Sequence, residues 1–381
     1  MEEKVKLTVS VASGVESVTK KELKRLGYGE PAAVRGAISF DAELRDVARL
    51  NVFLRTADRV YLSLASFPAS TFDEFFDGVF SVRWEDYLGQ DARVLVDGKS
   101  FQSKLFALSA CQSVAKKAIA ERMKKARGLL SLPETGEEAK IYFRIERNVA
   151  EILLNTSGAG LHKRGYRDRV GIAPIRENLA AAMLLLSDYY AGRAFADPFC
   201  GSGTLAIEAA TLALDIAPNI NRRFDFENFP FFPEKYLSEA KEEAKSREKR
   251  DKNVEIHASD VDKKAIELAR RHARQAGVEK NIAFEVKDVA DFTCDTKNGV
   301  IVTNPPYGER VLDEKSAHAL VKTLGGVYKK LDNWSLFAIS RDAAFEKAFG
   351  KKADKTRKLY NSDKECRFYE YFSKREKDNG R

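Results

Sequence analysis

The chain is poor in cysteine: Cys111, Cys200, Cys294 and Cys366 are scattered over 381 residues and form no C-x-x-C pair. That spacing gives no sign of a disulfide framework or a structural zinc site. The four histidines, His162, His257, His272 and His318, form no H-E-x-x-H pair, so a zincin-type centre is not signalled either. Long apolar runs are also missing. The richest stretch, Leu179 to Leu186, has eight residues, against the roughly 18 that a spanning helix needs, and reads as a buried helix face. The charged start Met1-Glu2-Glu3-Lys4 leads into a strand-like pattern rather than a secretory apolar core, which makes a cytoplasmic protein the expectation. Neither G-x-G-x-x-G nor G-x-x-x-x-G-K-[ST] occurs at the glycine loop, which argues against a dinucleotide or a nucleoside triphosphate. Low-complexity tracts and internal repeats are lacking too.

What is present is a chain too long for one hydrophobic core, with 44% hydrophobic residues to fill more than one. Lys and Arg number 65 against 57 Asp and Glu, a net charge of +8. That balance suits a polyanionic partner, although it also serves solubility. Residues 1–66 read as strand, helix, strand, helix, strand, a small α+β unit. Residues 67–160 form a second unit, with a helix over Ser103 to Ala126 and a hairpin turning at Arg147-Asn148. A basic linker, 161–175, follows. From Arg176 to the end, strands alternate with helices of 10 to 15 residues, the rhythm of right-handed crossovers and a parallel sheet covered on both faces. The hairpin expected at Asn361 to Lys364 would close that sheet with an antiparallel edge, and the final "SKREKDNGR" reads as a frayed tail.

Two basic segments stand out. Lys116, Lys117, Arg122, Lys124, Lys125 and Arg127 crowd the end of the long helix, with Glu121 the one acid among them. Such a run is either a solvated face or a phosphate-reading one. In the linker, Lys163, Arg164, Arg167 and Arg169 surround a Gly and a Tyr, a mixture suited to backbone phosphates and a stacked base.

The unusual residues of the second half fall at the carboxyl ends of expected strands, where open parallel sheets bind ligands. "DPFCGSGT", Asp197 to Thr204, ends the first strand; Gly201 and Gly203 allow a tight turn and close approach to a ligand, with Phe199, Cys200, Ser202 and Thr204 around them. A carboxylate at Asp197 suits a cation better than a diphosphate. Asp260, with Val261 beside it, ends the second strand where ribose hydroxyls are usually held, and Asp288, beside Val289, ends the third where an adenine amine could donate. Each of these two carboxylates could equally be a helix N-cap. Together the three describe a cationic adenosine ligand. "NPPY", Asn304 to Tyr307, ends the fourth strand. Either it is a plain β-turn, or it holds the Asn304 side-chain oxygen and the Pro305 carbonyl rigidly as a pair of outward acceptors, with Pro306 stiffening the turn, Tyr307 offering a stacking face and Gly308 permitting the turn. Cys200, inside the glycine loop, invites a nucleophile reading. The aromatic stretch Phe224 to Tyr236 reads as an apolar clamp packing an insert onto the domain.

The series DPFCGSGT, SD, KD and NPPY resembles the class I S-adenosylmethionine-dependent methyltransferases that modify amino groups. With the linker LHKRGYR, the helix APIRENLAAAML, NPPYGERV and KLYNSDKECRFYEY, the chain resembles the bacterial THUMP-containing 23S rRNA guanine-N2 methyltransferases over nearly its whole length. The resemblance implies a Rossmann-like α/β domain of seven strands, mostly parallel with an antiparallel edge hairpin, over 176–381. It also implies ferredoxin-like and THUMP units before that domain, S-adenosylmethionine as cofactor and RNA as partner; direct in-line transfer needs no metal, and a monomer is favoured with the oligomeric state left open. RNA contacts would come from Lys116, Lys117, Lys124, Lys125, Lys163, Arg164 and Arg167. A tRNA guanine-N2 enzyme, an adenine-N6 enzyme and a catalytically silent RNA-binding assembly factor are the competing readings.

Overall fold

The computed structural model describes residues 4–167, 175–306, 313–362 and 364–373. The expected Tyr307 face, the Gly308 turn, Arg169 and the tail beyond Ser373 lie outside them.

The first half runs β1 (Lys4–Val11), α1 (Glu16–Arg25), β2 (Ala32–Val34), β3 (Ala37–Glu43), α2 (Asp46–Phe53), β4 (Ala57–Pro68), α3 (Phe72–Ser81), α4 (Trp84–Tyr87), β5 (Arg93–Phe101), α5 (Leu108–Arg127), β6 (Glu138–Glu146) and β7 (Val149–Asn155). Its seven strands form one sheet, ordered β2-β3-β1-β4-β7-β6-β5. The boundary expected at 66/67 therefore falls within β4, whose early residues pair with β1 and whose later residues pair with β7. Arg147 and Asn148 turn the β6–β7 hairpin with φ of 50° and 61°, the left-handed pair that matches strand twist. α3 starts at a capping box in which Thr71 and Glu74 exchange side-chain and backbone bonds. α5 begins at Leu108, later than expected. The preceding loop is fastened instead to the hairpin, with Lys104 N donating to Asn148 Oδ1 at 2.8 Å and Asn148 N to Ser103 Oγ at 3.0 Å.

The second half runs α6 (Glu177–Leu186), β8 (Phe195–Asp197), α7 (Thr204–Ala213), α8 (Lys235–Arg247), β9 (Ile256–Asp260), α9 (Lys263–Gln275), β10 (Ala283–Val286), β11 (Val300–Thr303), α10 (Glu314–Tyr328), β12 (Ser335–Ser340), α11 (Phe345–Phe349), β13 (Lys355–Asn361) and β14 (Lys364–Tyr371). The sheet order is β10-β9-β8-β11-β12-β14-β13. β8 to β12 are parallel neighbours and β14 and β13 antiparallel, with Asn361 paired to Lys364 at the hairpin. Every residue of β11 and β12 is buried, as expected of strands covered on both faces. This is the Rossmann-like sheet with its antiparallel edge.

Two sets of apolar side chains lock the halves into one body. Val15 and Val18, at the start of α1, are buried in the same core as Leu179 and Met183 of α6. Reciprocally, Phe224, Phe226 and Phe229 leave the second half and bury themselves in the first half's core beside Trp84 and Phe143. The aromatic stretch is thus an apolar clamp, and Lys140 reaches Asp225 at 3.1 Å beside it.

The 161–167 segment departs from expectation. Arg164, expected to face RNA, is buried: it donates to the Leu161 carbonyl at 2.8 Å, to Asn219 Oδ1 at 3.3 Å and to the Arg55 carbonyl, and its Nε faces Glu208 at 3.4 Å. Tyr166 is also buried, with its hydroxyl 3.3 Å from Glu208 Oε1, and cannot stack on a base. Arg167 turns inward to the Ile175 carbonyl, Glu177 and the Thr204 hydroxyl. The reason is donor geometry. A guanidinium has five donors, and that of Arg164 satisfies two backbone carbonyls, an amide oxygen and a carboxylate brought together from distant parts of the chain. Lys163 alone of the linker's described candidates stays exposed.

Candidate active site

The strand order reverses between β8 and β11, and the loops leaving these two strands flank that crevice. Asp197 ends β8 and Thr303 ends β11. Thr303 donates its hydroxyl to Asp197 Oδ1 across 2.7 Å, and Phe199 N donates to the same oxygen at 3.3 Å. Asp197 is therefore a buried tie between the two loops rather than an open carboxylate. Burial is the main reason its pKa rises to about 7; nearby Asp260 adds to the rise and the two hydrogen bonds oppose it.

The glycine loop is built on that tie. Cys200 N donates to the Ser259 carbonyl at 3.0 Å, and Gly203 N to the Cys200 carbonyl at 2.8 Å. Gly203 has φ +82° and opens α7; a Cβ there would stand 2.9 Å from Ala269 Cβ, so the close approach of α7 and α9 requires glycine. Gly201 has φ +50°, but a Cβ on it would meet nothing within 4 Å. Open space lies over that turn, as a loop receiving a ligand needs. His272 is buried beneath with Nδ1 3.1 Å from the Ser202 carbonyl. Cys200 is buried and its thiol is pushed well up, by burial first and by Asp197 and Asp260 next, which removes it as a nucleophile.

Asp260 ends β9. Its Oδ2 accepts from Gly201 N at 3.0 Å and its Oδ1 from Asp262 N at 3.0 Å. Each oxygen keeps a further lone pair, enough for two hydroxyl donors. The cap of α9 is Asp262, which accepts from Lys264 N at 2.8 Å. Asp288 does serve as a cap, accepting from Ala290 N at 2.8 Å, yet it remains exposed at the mouth. Val261 is 71% exposed at the end of β9 and Val286 54% exposed at the end of β10, two apolar side chains beside the loop with little of their own to cover them. Val289, by contrast, is buried against the core beneath. Asn304 and Pro306 are half-buried and Pro305 is buried, next to the Thr303 tie. Thr204 of the loop receives the Arg167 guanidinium, and Phe199 packs against the core on the other side.

Sequence reasoning misses Thr303, Val286 and the grip of Arg167 on Thr204 in these roles. The threonine directly before Asn-Pro-Pro is a usable signal; the other two depend on tertiary packing.

On α5, Arg122 is engaged by Glu85 at 3.0 Å, and Arg127 by the carbonyls of Glu85 and Leu88 at 2.9 and 2.7 Å, so neither is free for phosphate. Lys116 meets Glu134 at 2.9 Å on the surface; Lys117 and Lys125 lie over the rings of Phe76 and Phe80 with exposed heads, and Lys124 is half-buried. The last residue of β5, Phe101, is exposed, and so, at 80%, is Phe106 in the loop before α5.

Among the described residues no helix is long and apolar enough to cross a membrane. Residues 164–370 match the RMKL-like methyltransferase domain, 6–61 the RlmL ferredoxin-like domain and 69–155 the THUMP domain. The chain is 39% identical, over 97% of both sequences, to YpsC of Bacillus subtilis, provisionally named an RNA methyltransferase. Among solved structures, SMU.472, provisionally named a methyltransferase and crystallised with SAH, matches with a TM-score of 0.90 at 38% identity over 98% of this chain and 99% of that one. A Listeria monocytogenes protein, named by prediction an N6-adenine-specific DNA methylase, matches with a TM-score of 0.92 at 41% identity over 97% of each.

Proposed function

The chain belongs to the RMKL-like methyltransferase family and uses S-adenosylmethionine, and on that premise we propose that it methylates RNA, at the exocyclic N2 amine of a guanosine in 23S rRNA. Bound S-adenosylmethionine supplies an electrophilic methyl group on a sulfonium. The residues fit such a group: open space stands over Gly201, Asp260 keeps acceptor capacity beside it, and Val261 and Val286 offer apolar cover for an adenine. Asp288 is the acceptor assigned to the adenine amine. The cradle is Asp197, Phe199, Cys200, Gly201, Ser202, Gly203 and Thr204, with Val289 as buried floor.

The observation that carries the reading is the 2.7 Å bond from Thr303 to Asp197. It fixes the start of Asn-Pro-Pro to the glycine loop across the crevice. A guanine amine is a weak nucleophile because its lone pair is delocalised. The Asn304 side-chain oxygen and the Pro305 carbonyl accept its two N–H bonds and favour a pyramidal nitrogen with its lone pair toward the methyl group. Pro305 and Pro306 hold these acceptors without reorganisation during transfer.

RNA as substrate is supported by the THUMP match, by the name of the Bacillus relative and by the exposed lysines of α5. Guanine follows from the sequence resemblance. Adenine N6 is the second reading, favoured by the name of the Listeria relative and by an acceptor pair that serves either amine. Transfer of labelled methyl to purified 23S rRNA, tRNA and DNA, followed by nucleoside analysis, tests it: N2-methylguanosine from rRNA is expected, and N6-methyladenosine or tRNA labelling alone would refute the assignment.

A further inference from the structure

At the amino end of β9, remote from the strand ends that carry Asp197, Asp260 and Asn304, three side chains bring metal-binding atoms together. Glu255 and His257 flank the first residue of β9, and Cys294 comes from the segment leading to β11. Their ligand atoms all lie within 4.8 Å of one another. His257 Nε2 is 3.1 Å from Glu255 Oε1, and Cys294 Sγ is 3.6 Å from that same oxygen. A tetrahedral zinc with bonds of about 2.0 Å to N and O and about 2.3 Å to S requires N···O and S···O edges of roughly 3.3 and 3.5 Å. The two pairs already stand near those separations.

We propose that Glu255, His257 and Cys294 bind one zinc-class divalent cation, with water in the fourth position. Imidazole, thiolate and carboxylate form a borderline-soft donor set that favours zinc over magnesium or calcium. The supports are already in place. Thr296 donates its hydroxyl to that same Glu255 Oε1 at 2.7 Å, and the Trp334 indole N–H holds the Thr296 carbonyl at 2.8 Å, which fixes the oxygen that faces His257 and Cys294. β9 is a rigid base for His257, because its register pairs that residue with both Ala196 and Ala283. All three side chains are partly open to solvent, which gives the ion a path in. Binding displaces the thiol proton to buffer and fastens the 294–298 segment to β9, a structural role separate from methyl transfer. The ordinary alternative is a surface imidazole–carboxylate pair with a weak S–H donor, which needs no ion. Sequence spacing hides the cluster, since E-x-H and a cysteine 37 residues later form no recognised pair.

The test uses untagged, EDTA-treated full-length protein at pH 7.5. Zinc is titrated against a chromophoric chelator, and cobalt(II) is followed by absorption. One equivalent of zinc is expected, together with a thiolate-to-cobalt charge-transfer band and tetrahedral d–d bands. Cys294→Ser and His257→Ala should each weaken zinc by at least about tenfold and abolish or shift that band, while melting like the parent in EDTA. Zinc should raise the melting temperature of the parent only. No stoichiometric binding at micromolar zinc, a cobalt spectrum without the thiolate band, or affinity unchanged in both variants would overturn the site.

Discussion

Arg164 faces Glu208 across 3.4 Å with both side chains almost wholly buried, where the 161–167 segment passes between the two halves of the molecule. A guanidinium in that place holds the chain together and is unavailable to RNA. Removing one member of a buried ion pair leaves the other charge unpaired, at about 3–5 kcal/mol. Arg164→Ala should therefore lower the melting temperature by about 4–6 °C and reduce cofactor and RNA binding together with folding. Chemical denaturation with parallel binding assays checks this; a stable variant impaired only in RNA binding would return Arg164 to the RNA surface.

Exposed lysines and exposed aromatics should leave different marks on RNA affinity. Neutralising Lys116, Lys117, Lys124, Lys125 and Lys163 together should flatten the dependence of affinity on salt, by about 0.7–0.9 in log–log slope for each phosphate no longer neutralised. Phe101→Ala and Phe106→Ala should weaken binding by about 1–3 kcal/mol for each base no longer stacked, with the slope unchanged. Salt titrations of an rRNA fragment separate the two effects.

The raised pKa of Asp197 has a definite sign. The folded state holds this proton up to about pH 7, against an ordinary value of 3.8 in the unfolded chain. From about pH 4 to 7 the native protein is thus the better proton binder, so this group's contribution to stability falls as pH rises through that window and levels off above it. The fall across the whole window is on the order of 4 kcal/mol. Asp197→Asn carries no such proton, and urea unfolding at pH 4.5 and 8 should show a smaller loss in the variant than in the parent.

Two glycines of one loop should fail in opposite ways. Gly203→Ala meets Ala269 at 2.9 Å at a left-handed φ and should cost about 2–4 kcal/mol of stability. Gly201→Ala meets nothing and should cost about 1 kcal/mol, while lowering cofactor affinity by about tenfold or more because the methyl group enters the open space above the loop. Calorimetry of S-adenosylhomocysteine binding, with melting curves, distinguishes the pair.

The parts of the fold and site that can be read from sequence are those whose chemistry is local. Apolar strands followed at once by Asp-Pro, Ser-Asp, Lys-Asp or Asn-Pro-Pro announce both an α/β sheet and the ends at which its ligand-facing residues sit. The clamp at Phe224 to Tyr236 is legible because so many aromatics in one short segment need a core. What stays hidden is set by partners distant in sequence. Arg164 and Arg167 look like a phosphate-facing basic run until Glu208, Glu177 and the Arg55 carbonyl are folded against them. Asp197 looks like an open carboxylate until Thr303, 106 residues away, closes over it. α5 starts at Leu108 because Asn148 and Ser103 hold the preceding loop, a constraint that helical periodicity does not encode.

The most direct measurement is single-turnover methyl transfer by Asn304→Ala on rRNA, beside calorimetric binding of S-adenosylhomocysteine. Loss of one preorganised hydrogen-bonding partner at the reacting atom should slow the chemical step by about 100- to 1,000-fold, with cofactor and RNA affinities within about threefold of the parent. Transfer at the parent rate by a folded variant would contradict the role of the Asn304 oxygen in making the amine reactive.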